Sequence, residues 1–172
     1  MGIQSVELLL DEQGDAAIRA QWQALLDAGL PSSGSHPAPS NRPHITLTAR
    51  QRIDPARENV VQRLLSALPL PIQIGSPTIF GRPHRSMVLV RTVVPTAALL
   101  RFQLAVHLAL GDSPDVSRVC LPDAWTPHVT LARLPAAQIS AAITVIAGMD
   151  CPPVNAVRLR RWDSDAAREW ML

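Results

Sequence analysis

Two short segments of the sequence carry residue types that can do acid–base chemistry. Pro43-His44-Ile45-Thr46-Leu47 and Pro127-His128-Val129-Thr130-Leu131 share one pattern and lie 84 residues apart. Side chains of a β-strand point alternately to its two faces, so the His and Thr of each segment share one face. The pattern therefore predicts two strands whose apolar faces contact helices and whose His/Thr faces look into a cleft.

Two imidazoles and two hydroxyls that face one another suit the chemistry of a phosphodiester. The ordinary pKa of imidazole is about 6.5, so one ring can be neutral while the other is protonated at neutral pH. The neutral ring would take a proton from the attacking water or hydroxyl, and the protonated ring would give one to the leaving oxygen. Each threonine would donate a hydrogen bond to a non-bridging oxygen. We therefore predict His44, Thr46, His128 and Thr130 as catalytic residues, with no metal and no other cofactor.

The composition excludes several other kinds of chemistry. All 16 basic residues are arginine, and the chain contains no tyrosine. Without lysine, a Walker A phosphate loop, a Schiff base and a covalent nucleotidyl-lysine are excluded. Neither His-Glu-x-x-His nor Cys-x-x-Cys occurs, so the sequence predicts no metal site. The net charge of +2 tolerates an anionic ligand but does not establish a nucleic-acid partner.

The elements that must position these residues follow one order twice: strand, helix, strand, helix, strand. The predicted strands cover residues 6–10, 44–49 and 72–79 in the first half, and 87–94, 128–131 and 157–162 in the second. Pro77 in the third strand predicts a sheet edge or a bulge. We expect an α+β fold and one domain over residues 1–172. Its two pseudo-symmetric lobes, about 1–80 and 86–172, would each hold a small, mostly antiparallel sheet with helices outside and the cleft between the sheets.

With these duplicated motifs the chain resembles the two-histidine (2H) phosphoesterase superfamily. Within it, the chain is most similar to the 2'-5' RNA ligases, also called RNA 2',3'-cyclic phosphodiesterases. The resemblance implies metal-independent opening of a 2',3'-cyclic phosphate, typically to a 2'-phosphate, and in some members the joining of RNA ends by a 2'-5' bond. It implies His128 as the base and His44 as the acid. It also implies that Arg133, after the second motif, binds substrate, although strict alternation would point Arg133 away from the histidines.

Further residues and partners are predicted with less support from the motifs. Arg82 is expected to contact phosphate and Trp125 to stack on a base, with core packing as the alternative for Trp125, Phe80 and Trp162. The expected partner is an RNA end or a small cyclic nucleotide, and the protein is expected to be a cytoplasmic monomer that does not enter a membrane. Two alternatives stay open: a module that binds nucleotides or RNA ends without catalysis, and a hydrolase of another small cyclic phosphate.

Overall fold

Eight strands and four helices make up the regular structure of the computed structural model, which describes residues 2–81 and 86–172. Arg82, a predicted phosphate contact, lies outside the described residues. The strands are β1 (Gln4–Leu10), β2 (His44–Arg50), β3 (Leu70–Ile72), β4 (Ile74–Phe80), β5 (Met87–Val93), β6 (His128–Leu134), β7 (Val154–Asp163) and β8 (Arg168–Met171). The helices are α1 (Glu12–Asp27), α2 (Glu58–Gln62), α3 (Ala97–Leu110) and α4 (Ile139–Ile146).

The two long helices begin and end as their sequences dictate. Asp11 caps α1 by accepting a hydrogen bond from the backbone N–H of Gly14, and Thr96 caps α3 by accepting one from Leu99. Past the helix ends, Gly29 and Gly111 adopt positive φ values of 71° and 74°, which glycine reaches without steric cost. No helix in the described ranges combines the length and apolar character that crossing a membrane requires.

The strands form one antiparallel sheet in the order β3-β7-β1-β2-β6-β5-β4, with β8 added beside β7. The third strand of each predicted half pairs with strands of the other half, because β7 lies beside β1 and β4 lies beside β5. Only one residue pair, Ile45 with Val129, links β2 to β6 at the centre. The α+β fold is confirmed, and its two similar parts meet at this pair. The division of the chain into lobes near residue 80 stays a prediction.

The long helix of each half packs on a central strand of the other half. α1, from the first half, packs on β6 of the second half, and α3 packs on β2 of the first. The core between helices and sheet includes Ile45, Leu47, Val129 and Leu131, all at 0% exposure. The apolar face of both motifs therefore contacts the helices, as alternation predicts, and the opposite face is left for the site.

Three local features refine the predicted elements. The pairing of β4 with β5 shifts between Ile74 and Pro77, and β4 is an edge strand, so the prediction for Pro77 is confirmed. The second helix of the first half is short: 3₁₀ turns flank the five residues of α2, of which only Val61 is fully buried. β8 was not predicted, since its Arg-Glu-Trp-Met sequence lacks an alternating pattern.

Candidate active site

The four motif residues lie on one face of the sheet where β2 meets β6. The pairing of Ile45 with Val129 sets His44 opposite Thr130 and Thr46 opposite His128. All four side chains are partly exposed, on the face away from the helices. The two histidines are diagonal neighbours, a relation that puts residues of an antiparallel pair about 7–8 Å apart. A single phosphate can bridge such a gap, because each ring nitrogen needs to lie only about 3 Å from an oxygen.

Both imidazoles are anchored in the same way. Nδ1 of His44 lies 2.8 Å from the carbonyl oxygen of Arg42, and Nδ1 of His128 lies 2.7 Å from that of Thr126. A carbonyl oxygen only accepts, so in each ring Nδ1 carries a proton and donates it. This fixes the ring orientation and leaves each Nε2 to exchange protons with a ligand. Both anchors come from the residue two positions before the histidine, as the repeat requires.

The backbone beneath the threonines is held from the core by two tryptophans. The indole N–H of Trp22 donates to the carbonyl of Thr130 over 3.0 Å, and that of Trp125 donates to the carbonyl of Thr46 over 2.9 Å. Both indoles are buried, Trp125 at 8% exposure. Trp125 therefore lies in the core, which is the alternative to base stacking that its sequence left open, and it supports the site from behind.

A β-bulge decides where Arg133 points. Val90 pairs with Thr130 but Leu89 pairs with Ala132, so β6 has one extra residue at Leu131. Leu131 and Ala132 are both buried, and alternation resumes with Arg133 exposed on the His128 face. The condition set by the sequence, that β6 must end or bulge before Arg133, is met. β2 has the matching irregularity, and it brings Ala49 to the equivalent position.

His44 lies beside a buried charge network. Nε2 of His44 is 3.8 Å from Oε1 of Glu7, a carboxylate that also accepts hydrogen bonds from Ser5 and from Arg160. Burial alone would raise the pKa of Glu7. The charges of His44 and Arg160 and the hydrogen bonds from Ser5 and Arg160 outweigh burial, so the pKa of Glu7 lies below its ordinary value. Glu7 is therefore ionised at neutral pH.

His128 has apolar neighbours instead. The ring of Phe80 meets its ring edge-on, with 4.9 Å between centroids, and Val90 pairs with the adjacent Thr130. Burial lowers the pKa of His128, the hydrogen bond to the carbonyl of Thr126 opposes that effect, and the charge of His44 lowers the pKa further. The net shift is downward, so His128 is neutral at neutral pH. The effect of His44 on this pKa also reflects the proximity of the two rings.

A cavity of about 360 Å³ opens beside His44 and is lined in part by Trp162, Arg160 and His36. In this cavity the exposed side of the Trp162 indole lies next to His44. Phe80 lies against His128, so each histidine has one aromatic side chain beside it. The described residues contain no group of three or more His, Cys, Asp or Glu side chains that could hold a metal ion.

Sequence reasoning did not assign Glu7 and Arg160 to the site. Glu7 interrupts an apolar strand, and a charge at such a position signals a buried partner. Arg160 and Arg161 lie in the strand predicted at residues 157–162, and both are buried, at 3% and 1% exposure. At these two residues β7 lies between β1 and β8, and each arginine is buried against a carboxylate, Glu7 for Arg160 and Glu58 for Arg161.

Comparisons with solved structures agree with this fold. A crystal structure of a phosphoesterase is 16% identical with a TM-score of 0.54, covering 100% of this chain and 99% of that one. The apo form of E. coli LigT is 14% identical with a TM-score of 0.54, covering 99% of this chain and 94% of that one. LigT complexed with 3'-AMP is 15% identical with a TM-score of 0.50, covering 99% and 98%. These likenesses show a shared fold.

No curated protein matches the sequence. A family model described as the 2'-5' RNA ligase superfamily matches residues 10–168, which is most of the chain. Together with the duplicated His-x-Thr strands and the fold, this match shows that the protein belongs to the 2'-5' RNA ligase superfamily.

Proposed function

We propose that the protein is a metal-independent phosphodiesterase that opens 2',3'-cyclic phosphates of RNA ends or nucleotides and leaves a 2'-phosphate. The observation that carries the proposal is the pair of imidazoles on one sheet face, each held through Nδ1 and each presenting Nε2. The fold of LigT, which has been crystallised with 3'-AMP, supports a nucleotide ligand.

The reaction uses the different surroundings of the two rings. His128, whose pKa is lowered chiefly by burial, accepts a proton from water as the water oxygen attacks phosphorus. The bond from phosphorus to O3' breaks, and His44 gives the proton on Nε2 to that oxygen. Thr46 and Thr130 donate hydrogen bonds to the non-bridging oxygens, where negative charge builds up. An RNA 5'-hydroxyl in place of water would give a 2'-5' bond by the same step.

Arg133 supplies the positive charge for substrate binding. The bulge in β6 leaves Arg133 exposed on the face of His128. Arg133→Ala would remove a charged hydrogen bond worth about 1.5–3 kcal/mol, which is about 10- to 160-fold in kcat/KM. We expect Arg133→Lys to recover part of that loss, because lysine keeps the charge but not the planar fork. Steady-state kinetics on a cyclic nucleotide measure both variants. An Arg133→Ala enzyme with unchanged kcat/KM would remove Arg133 from the site.

The substrate range follows from what surrounds the motifs. Trp162 and Phe80 can each stack on one base, and the small net charge of +2 offers little for a long RNA strand. We therefore expect short RNA ends and cyclic mononucleotides as substrates. We propose in addition that the enzyme is a cytoplasmic monomer.

The direct test is hydrolysis of 2',3'-cyclic AMP and of a short RNA ending in a 2',3'-cyclic phosphate, in excess EDTA. We expect turnover to a 2'-phosphate with a bell-shaped pH profile, because one histidine must be neutral and the other protonated. Ion-exchange chromatography separates the 2'- and 3'-products. Binding without turnover would instead support the non-catalytic module. Turnover of only other cyclic phosphates, such as an ADP-ribose derivative, would support the second alternative, a hydrolase of another small cyclic phosphate.

A further inference from the structure

The two aromatic side chains at the site occupy equivalent places in the repeat but have different neighbours. Trp162 of β7 lies in register, across β1, with Ala49 of β2. Phe80 of β4 lies in register, across β5, with Arg133 of β6. Because alanine is much smaller than arginine, the Trp162 side has more room for a ligand than the Phe80 side.

An additional strand encloses the Trp162 side. β8 pairs with β7 and sets Glu169 opposite Trp162, and the turn before β8 brings Ala167 into the wall of the cavity beside His44. On the other side β4 is the edge strand, and within the described residues no strand lies beyond Phe80. The two halves of the site therefore differ in enclosure, and β8 supplies the difference.

Hydrogen bonds hold the wall of this cavity in place. The guanidinium of Arg160 donates to the carbonyl oxygen of Ser40 over 2.6 Å and to Glu169 over 2.7 Å. Arg42 donates to the same carboxylate over 3.0 Å. These bonds join the loop before β2 to β7 and β8, so the cavity is formed before a ligand enters. Its volume of about 360 Å³ lies in the range of small-molecule sites, about 300–1,000 Å³.

A base in this cavity would set the direction of the whole substrate. When water opens a 2',3'-cyclic phosphate, the attacking oxygen and the leaving O3' lie roughly in line on opposite sides of phosphorus. O3' belongs to the ribose that carries the base, so O3' and the base lie on the same side of phosphorus. A base on Trp162 therefore turns O3' towards His44 and leaves the attacking water on the side of His128.

We propose that the cavity beside His44 binds the base of the terminal nucleotide, stacked on Trp162, and thereby directs O3' of the cyclic phosphate to His44. The proposal rests on the function proposed above and adds which residue recognises the base and how the substrate is oriented. Trp162 is partly exposed, and an indole face stacks on every base. The cavity is therefore a subsite for a nucleobase without strong preference among the four.

The first test compares two substrates, 2',3'-cyclic AMP and a methyl riboside 2',3'-cyclic phosphate, which lacks the base. We expect Trp162→Leu to lower kcat/KM for 2',3'-cyclic AMP by about 5- to 160-fold, the effect of losing one stacked base, and so to reduce the preference for the substrate with a base. Trp170→Leu is the matched control, because the indole of Trp170 donates to Glu58 of α2 and lies on the helix side of the sheet. We expect this control to keep the preference.

A preference that is unchanged in Trp162→Leu would overturn the proposal. A preference that is lost in Phe80→Leu and kept in Trp162→Leu would overturn it as well, because the base would then lie on the side of His128.

The second test needs neither turnover nor a folded variant at Trp162. In the complex of the unaltered protein with 2'-AMP, we expect nuclear Overhauser contacts between the adenine protons and the indole ring of Trp162. Replacing the other three tryptophans one at a time by phenylalanine assigns the indole signals. Contacts of adenine with Phe80, or with neither residue, would overturn the proposal.

The third test asks which histidine faces O3'. In a 2',3'-cyclic phosphate with sulfur in place of O3', the leaving thiolate needs no proton, because the ordinary pKa of a thiol is only about 8.5. We expect the loss of rate in His44→Ala to be at least tenfold smaller on this substrate than on the oxygen substrate. The loss in His128→Ala should be the same on both. The reverse pattern, or equal losses in both variants, would overturn the orientation.

These results also separate the base site from the proposed function. A protein that holds the adenine of 2'-AMP on Trp162 but never turns over a cyclic phosphate would refute the proposed function alone. Histidine-dependent turnover with the adenine on Phe80 would refute the base site alone.

Discussion

Replacing either motif histidine by alanine is expected to lower the rate of cyclic phosphate opening by about 10²- to 10⁴-fold, or about 3–5 kcal/mol of barrier. The two variants should differ in pH dependence. Without the base His128, the acidic limb of the profile disappears, because that limb reports protonation of the base. Without the acid His44, the alkaline limb disappears instead. Initial rates from pH 5 to 9 measure both effects.

The control for these variants is His36→Ala. His36 lines the cavity next to His44 but belongs to neither motif, so we expect a loss of less than tenfold. Circular dichroism and the unfolding midpoint of each variant show whether the fold is intact, since all three histidines are at least partly exposed. A His44→Ala or His128→Ala protein that is folded and keeps full activity would refute paired-histidine catalysis.

The largest expected effect on stability comes from Arg160→Met. The replacement leaves Glu7 buried without its main cation, and breaking a buried ion pair in this way costs about 3–5 kcal/mol. Urea unfolding at pH 7 measures the loss. The matched control is Arg158→Met, two residues away on the same strand, where the side chain is exposed and the expected change is within about 0.5 kcal/mol.

The pH dependence of that loss identifies its cause. In the wild type the pKa of Glu7 lies below the ordinary value of 4.5, so the ion pair stabilises the fold above that pH and is lost as pH falls through the lowered pKa. In Arg160→Met the isolated, buried Glu7 favours its neutral form. We therefore expect the difference between variant and wild type to shrink from pH 7 to pH 5. A difference that does not change with pH would point to lost packing.

The sequence predicts the motif strands well because their information is local. Alternation in two five-residue segments indicates which faces of β2 and β6 carry His44 and His128, and the burial of Ile45 and Val129 agrees. These signals need no knowledge of which strand pairs with which.

The features that sequence reasoning missed depend on pairing over long distances. Glu7 and Arg160 are 153 residues apart, and neither predicts the other until β1 and β7 are known to be neighbours. The direction of Arg133 depends on a bulge opposite Leu89 and Val90, which strict alternation along β6 does not reveal. The core position of Trp125 depends on a hydrogen bond to β2, 79 residues away.

The pairing of β7 with β1 and of β4 with β5 makes each half of the chain depend on the other for a complete sheet. β7, near the carboxyl end, fills the place beside β1, and β4 fills the place beside β5, so each half completes the hydrogen-bonding ladder of the other. Half of the polypeptide would be left with open sheet edges and an uncovered apolar surface. A polypeptide that contains only one half is therefore expected to complete its sheet only by pairing with a second copy or with the other half.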